Sequence, residues 1–150
     1  MVSSKPGFET GWEEGVVGWP SVVILGAVGE RAGLEARIRG SGVVPDAAVE
    51  GERLYWRGYS YHLDLSGGIL ADYEPDEVEE VAARVGEPYG VWVASQSMEA
   101  ARVFLREVLS GFDGLLDTNH GEILAAGEFL ALIDRYPDWD WRRRESTELP

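Results

Sequence analysis

Apolar residues in the first half of the chain recur with the spacing of β-strands. Ser21–Val28 is a β-branched apolar run bounded by Pro20 and Gly29, which predicts a buried strand. Apolar and charged residues alternate in Leu34–Arg39, so we expect a second strand that pairs with the first as a hairpin, with a short helix as the alternative. Arg53–Leu65 is rich in aromatic residues and is also predicted to be a strand. One face of that strand carries Tyr59, Tyr61, Leu63 and Leu65.

The second half of the chain alternates helix and strand patterns. Pro75–Val85 is predicted to be a helix, because its apolar residues return every three to four positions and acids crowd its first turns. Gly86 follows as a C-terminal stop. The remaining predicted elements are a strand at Tyr89–Ser95, a helix capped by Ser97 that runs to Leu109, strands at Phe112–Asp117 and Glu122–Leu124, and a helix at Ala126–Tyr136.

This order of elements predicts one α+β domain of 150 residues. We expect a single mixed β-sheet with about three helices packed on one of its faces. The strand–helix–strand unit at Tyr89–Asp117 predicts a right-handed parallel crossover. The turn at Asn119–Gly121 predicts an antiparallel pair, so both kinds of pairing would occur in the sheet.

Both ends of the chain are expected to lie outside this sheet. Residues 1–18 are interpreted as a loose N-terminal arm, and residues 138–150 as a C-terminal tail. Trp139 and Trp141 would face opposite ways in an extended tail. We therefore expect at least one of them to hold the tail against the core.

Composition narrows the classes of function. The formal net charge is −14 at pH 7 and there is no cysteine. This charge opposes binding to nucleic acid or to anionic lipid and favours a basic protein partner. The alternative is that the acidic residues serve only to keep the protein in solution. The absence of cysteine excludes disulfides and Cys-type zinc sites. Because the sequence shows neither a signal-peptide pattern nor an apolar stretch of about 20 residues, we expect a cytoplasmic protein without a membrane segment.

The densest acidic segment is Asp72–Glu80, which contains six acids and no basic residue. Six acids exceed what a helix N-terminus needs to complement its dipole, so we expect a docking face for a basic partner. Nearby Tyr59 and Tyr61 could add aromatic contacts of the hot-spot kind. A solvated helix end is the alternative. The predicted partner-binding residues are Asp72, Tyr73, Glu74, Asp76, Glu77, Glu79 and Glu80.

The glycines after the first strand invite comparison with a nucleotide-binding turn. Gly26, Gly29 and Gly33 have the spacing G-x-x-G-x-x-x-G, whereas backbone approach to a pyrophosphate uses G-x-G-x-x-G. Glu30 would also repel a phosphate. We therefore favour a glycine-containing hairpin turn and predict no cofactor.

Two histidines supply the sequence support for an enzyme. His62 and Asp64 share a strand face, and Asp117 lies close in sequence to His120. If the two strands concerned were neighbours, these four side chains could serve a small metal-dependent or acid/base hydrolase. The chain has no H-x-x-x-H or H-E-x-x-H spacing and no G-x-S-x-G elbow. We therefore favour a protein with no catalytic residues and no metal site.

The segment Phe112–Trp141 reads F-D-G-L-L-D-T-N-H-G-E-I-L-A-A-G-E-F-L-A-L-I-D-R-Y-P-D-W-D-W. It resembles the hairpin-then-helix ending of small acidic bacterial immunity proteins, which are partners of secreted toxins. The resemblance implies an α+β, cytoplasmic, non-enzymatic protein that blocks a cognate toxin by direct binding, and it carries over no functional residues. An immunity protein or antitoxin for a basic toxin domain is therefore the favoured hypothesis. The hydrolase and an acidic mimic of nucleic acid are the alternatives.

Overall fold

The computed structural model describes residues 18–45 and 52–150, which form seven strands and four α-helices. The strands are β1 (Ser21–Ala27), β2 (Val43–Pro45), β3 (Glu52–Trp56), β4 (Tyr59–Asp64), β5 (Pro88–Ser95), β6 (Leu115–Asp117) and β7 (Ile123–Ala125). The helices are α1 (Arg31–Arg39), α2 (Pro75–Val85), α3 (Met98–Leu109) and α4 (Ala126–Arg135), with short 3-10 helices at Val28–Glu30, Gly68–Asp72 and Ser146–Glu148. The expected N-terminal arm lies outside the described residues, apart from Gly18. None of the helices within the described ranges is long and apolar enough to cross a membrane.

The strands form one sheet in the order β2-β3-β4-β5-β1-β6-β7. Every neighbouring pair is antiparallel. The α+β class and the single sheet are therefore confirmed, and the sheet is antiparallel rather than mixed. Strands β5 and β6 do run parallel to each other, since both are antiparallel to β1, but β1 lies between them.

The aromatic segment Arg53–Leu65 is two strands rather than one. Strands β3 and β4 pair as a hairpin, with Trp56 opposite Tyr59. The turn between them places Arg57 at φ 52° and Gly58 at φ 85°. Left-handed conformation at both central residues is the geometry that matches the twist of a two-residue hairpin. The expected apolar face is confirmed, because Tyr61, Leu63 and Leu65 are buried on one side of β4.

The predicted second strand at Leu34–Arg39 is instead the helix α1, so the helical alternative is the correct one. Leu34 and Ile38 are buried while Ala36 is exposed. Burial therefore returns after four residues, as in a helix, and not after two. The glycine-containing turn before α1 consequently joins a strand to a helix, and the expected hairpin is wrong.

Strand β1 is covered on both sides, because its side chains alternate between two apolar clusters. Val22 and Ile24 belong to the cluster that packs against α1, α3 and α4, which we call the first face. Val23 and Leu25 belong to the cluster that packs against α2, which we call the second face. A run of four apolar residues must be buried on both sides. The prediction that the helices share one face is therefore wrong.

The C-terminal tail is folded onto the first face. Trp139 and Trp141 are both buried, and their ring centroids lie 5.9 and 5.1 Å from that of Phe129. Turns hold the tail, because Trp139 N donates to Tyr136 O and Arg143 N donates to Asp140 O. Both tryptophans therefore attach the tail to the core, since the segment is turned and not extended.

Candidate partner-binding surface

Two acidic residues cap the N-terminus of α2. Glu74 is the N-cap residue, and its side chain accepts a hydrogen bond from the backbone N–H of Glu77. In return, Glu77 Oε1 accepts one from Glu74 N at 2.9 Å. This reciprocal capping satisfies N–H groups that a helix terminus leaves unpaired. Glu74 and Glu77, two of the predicted docking residues, therefore have a structural role in capping the helix. This role agrees with the alternative interpretation of the segment as a solvated helix end.

Beyond this capping box, α2 presents an acidic surface. Asp76, Glu79 and Glu80 are exposed, and none of the three forms an ion pair within the described residues. Arg84 is the one basic residue between Asp72 and Glu87. Within the part of the chain that the structure describes, no side chain therefore pairs with the negative charge of this surface. We call Asp76, Glu79 and Glu80 the acidic face.

The opposite side of α2 fixes the acidic face in position. Val81 is buried, and Val78 and Val85 pack beside it against the second-face cluster, which includes Val23 and Trp92. These valines recur at i, i+3 and i+7, as the sequence pattern predicted. The carboxylates of the acidic face therefore project from a helix whose other side is docked on the sheet.

Tyr73 is part of the core and not of the exposed surface. Its side chain is 6 % exposed, and its hydroxyl donates to Asp117 Oδ2 at 2.5 Å. Asp117 is fully buried and also accepts a hydrogen bond from Asn119 N at 2.7 Å. Burial, followed by the nearby Asp117 carboxylate, raises the pKa of Tyr73. The expectation that Tyr73 is a contact residue is therefore unsupported, because a partner could not reach its ring.

The other two tyrosines considered as contacts lie on the opposite side of the sheet from α2. Tyr61 is fully buried on the first face, and its hydroxyl donates to Ala100 O at 2.7 Å. Tyr59 packs partly against the same cluster. Since α2 covers the second face, neither ring flanks the acidic face.

The four residues of the predicted hydrolase site are not brought together. Strands β5 and β1 lie between β4 and β6, so the strands that had to be neighbours are not. The register places Asp64 opposite Trp92, Trp92 opposite Val23, and Val23 opposite Asp117. Three inter-strand spacings separate the backbones of Asp64 and Asp117 by about 14 Å. No group of three or more potential metal ligands occurs among the described residues.

His120 lies in the turn between β6 and β7, as expected of a turn residue. Its backbone N–H donates to Thr118 Oγ1 at 3.3 Å, and the preceding Asn119 adopts φ 68°. Partial burial of the imidazole and the nearby Arg142 guanidinium lower the pKa of His120. Both effects favour the neutral imidazole over the imidazolium.

The glycine turn has a role that its sequence spacing did not indicate. A Cβ on Gly26 would lie 2.7 Å from the ring of Phe112, so a side chain at this position would displace that ring. Glu30 precedes α1 as its N-cap residue and makes no side-chain capping bond. A carboxylate at this position disfavours phosphate at the helix N-terminus. The expectation of no nucleotide site stays a prediction.

A groove lies between the first turns of α1 and the end of α3, and sequence reasoning did not identify it. Gly29, Gly33, Leu34, Val108 and Phe112 line it. Its volume is about 260 Å³, below the ~300 Å³ at which small-molecule sites begin. We call it the glycine groove. The nearby Val28 is 43 % exposed, which is a high value for an apolar side chain.

Comparisons with known proteins identified no relative of this chain. No family model, no curated protein and no solved structure matches the chain.

Proposed function

We propose that this chain is a non-enzymatic binding protein, an immunity protein or antitoxin that neutralises a basic toxin domain by direct binding. The observation that carries the proposal is the acidic face of α2. Its three carboxylates are exposed, lack ion pairs within the described residues, and stand on a helix docked to the sheet. The resemblance of Phe112–Trp141 to immunity proteins points the same way.

The acidic face is suited to fast and selective association. Like charges concentrated on one patch attract a basic partner over several ångströms and repel acidic competitors. Because α2 is docked through Val78, Val81 and Val85, binding need not order the helix first. A surface that is already in place loses less conformational entropy when the partner arrives.

The strand order also supports this choice over the hydrolase alternative, because β5 and β1 lie between the strand that carries His62 and Asp64 and the strand that carries Asp117. A binding protein does not require these residues to lie together. It acts by occupying a surface of its partner, so its effect should follow stoichiometry and not turnover.

The test uses the basic C-terminal domain of a secreted protein encoded beside the gene for this chain. We expect a complex of one copy of each by size exclusion with light scattering. Toxin activity should fall in proportion to added protein and reach background at a ratio of one. Inactivation by much less than one equivalent would contradict the proposal, because it requires a catalytic mechanism. Failure of the two proteins to associate would contradict it as well.

A further inference from the structure

A run of three arginines precedes a serine in the C-terminal tail. Arg142, Arg143 and Arg144 are followed by Glu145 and then by Ser146. Ser146 is the one serine or threonine of the sequence that has arginine both two and three positions before it. Arginines at these two positions are the charge pattern by which kinases with an acidic substrate groove select a serine. The sequence therefore singles out Ser146 among the hydroxyl groups of the chain.

The structure leaves this segment open to a partner. Residues 142–145 and 147–148 are exposed, and Ser146 is half-buried. The Arg143 side chain is 82 % exposed, and its ion pair with Asp140 spans 3.8 Å. Arg144 donates from Nη2 to Glu148 O at 3.0 Å, which is a bond within the segment that is lost once the segment unwinds. An acidic groove can therefore bind both of the arginines that the pattern requires.

A single carboxylate holds Ser146 in place. Ser146 N donates to Glu122 Oε1 at 2.9 Å, and the Ser146 hydroxyl donates to Glu122 Oε2. Beyond the serine, Leu149 packs partly against the first-face cluster, and the Tyr136 hydroxyl donates to Pro150 O. Because few groups hold this end of the tail, it can open locally while the two tail tryptophans stay packed.

A phosphate on Ser146 would turn this attraction into repulsion. It would replace the hydroxyl hydrogen that Ser146 donates, and it would bring about −1.5 to −2 charges against the carboxylate of Glu122. The preceding arginines offer the phosphate other donors, and the Arg143 guanidinium among them is largely exposed. Phosphate oxygens form strong charge-assisted hydrogen bonds with arginine. Docking of this end of the tail and phosphorylation of Ser146 therefore oppose each other.

We propose that Ser146 is the phosphorylation site of a kinase that recognises basic segments, and that phosphorylation releases residues 146–150 from Glu122. Ser146 Oγ attacks the γ-phosphorus of ATP, and the hydroxyl proton passes to a base of the kinase. The bond from that phosphorus to the bridging oxygen breaks, and ADP leaves. Since the hydroxyl is paired with Glu122 while the tail is docked, the reaction proceeds from molecules whose tail has opened. The inference does not depend on the proposed toxin partner.

Phosphate transfer to the folded protein is measured with ATP and cAMP-dependent protein kinase, which selects serines with arginine at these positions. We expect intact mass spectrometry to show one phosphoryl group per molecule, and fragmentation to place it on Ser146. Ser146→Ala should accept none. Ser60→Ala is the matched control, since Ser60 has arginine only at the third position before it, and this variant should accept one. The site is overturned if the protein takes up no phosphate or takes it up at another residue.

Two further measurements test the link to Glu122. Glu122→Ala should raise the rate of phosphate transfer at least about tenfold, because two hydrogen bonds to a charged acceptor no longer hold the tail closed. Glu128→Ala removes an exposed acid elsewhere and should leave the rate unchanged.

The second measurement needs no variant. After phosphorylation of the ¹⁵N-labelled protein, the amide resonances of Ser146 and Leu149 should move to random-coil positions, while that of Trp139 stays in place. The release is overturned if Glu122→Ala is phosphorylated no faster than Glu128→Ala, or if Leu149 keeps its resonance in the phosphorylated protein.

Discussion

The hydroxyl of Tyr73 donates a hydrogen bond to Asp117 Oδ2 at 2.5 Å, across 44 positions of the chain. Tyr73 directly precedes the N-cap of α2, and Asp117 is the last residue of β6. Both side chains are buried. This bond therefore links the start of the helix that carries the acidic face to the interior of the protein.

Removing the Tyr73 hydroxyl should destabilise the protein. In Tyr73→Phe, the buried carboxylate of Asp117 loses a donor, and a buried polar group deprived of a partner costs about 1–3 kcal/mol of unfolding free energy. Urea unfolding measures the loss. Tyr55→Phe is the matched control, since it removes a hydroxyl that accepts from Arg53 on a ring that is 55 % exposed. Equal losses in the two variants would contradict a special role for the buried pair.

Stability should fall in alkaline solution. Burial raises the pKa values of Tyr61, Tyr73 and Tyr89 above that of an unfolded tyrosine. A raised folded-state pKa contributes stability that is fully present below about pH 10, and it is lost as the pH rises towards the folded-state values, because the unfolded chain ionises first. Melting temperatures measured from about pH 8 upward should decline above about pH 10. A smaller decline in Tyr73→Phe is expected, and a flat profile would contradict the argument.

Two glycine-to-alanine substitutions should act in opposite directions. Gly33→Ala should raise the unfolding free energy by about 0.5–1 kcal/mol, because alanine favours the helix and its Cβ meets no described atom within 4 Å. Gly26→Ala should lower it, because the added Cβ would lie 2.7 Å from the Phe112 ring and overpacking costs about 1–3 kcal/mol. Chemical denaturation of both variants checks the prediction. A destabilising Gly33→Ala would contradict the prediction, because it would show that glycine at this position serves the fold.

The two tail tryptophans should differ in their tolerance to phenylalanine. Trp139 Nε1 donates to Arg144 O at 2.8 Å, whereas Trp141 Nε1 is buried without a hydrogen-bond partner in the described structure. Trp139→Phe leaves a carbonyl unpaired and should cost about 1 kcal/mol more than Trp141→Phe, which removes an unsatisfied donor. Thermal unfolding of the two variants gives the comparison. The reverse order would contradict it.

Local signals predicted much of the fold. The bounds of α2 are those expected, because a proline at its first position, acids in its first turn and Gly86 at its end all act within a few residues. The helix after Ser97 is confirmed for the same reason, since Ser97 Oγ accepts from Ala100 N at 3.0 Å. Signals of this kind depend on neighbouring residues, which a sequence displays directly.

Features set by distant contacts were missed. The spacing of Leu34 and Ile38 fits a strand and a helix equally well, and only their burial distinguishes the two. The β3–β4 turn was missed because its first central residue is Arg57, so that Gly58 alone indicates a turn in the sequence. The burial of Tyr73 had a readable indication: it lies at the position before the N-cap, and Val78 lies at the fourth helical position, which is the spacing of a hydrophobic staple. Both belong to the second-face cluster. Which face α2 covers depends on the whole sheet, and so the site's surroundings could not be predicted.

The acidic face is proposed to guide a basic partner to this protein. The direct measurement is the association rate with the toxin domain, by stopped-flow fluorescence at several ionic strengths, for two variants that each remove three negative charges. One is Asp76→Asn, Glu79→Gln, Glu80→Gln; the control is Asp113→Asn, Glu128→Gln, Asp138→Asn, at three exposed acids elsewhere. We predict that the first variant associates at least about tenfold more slowly at low salt, with a flatter salt dependence, while the control keeps most of the rate. Equal rates for the two variants would contradict the claim, because net charge and not the acidic face would then govern association.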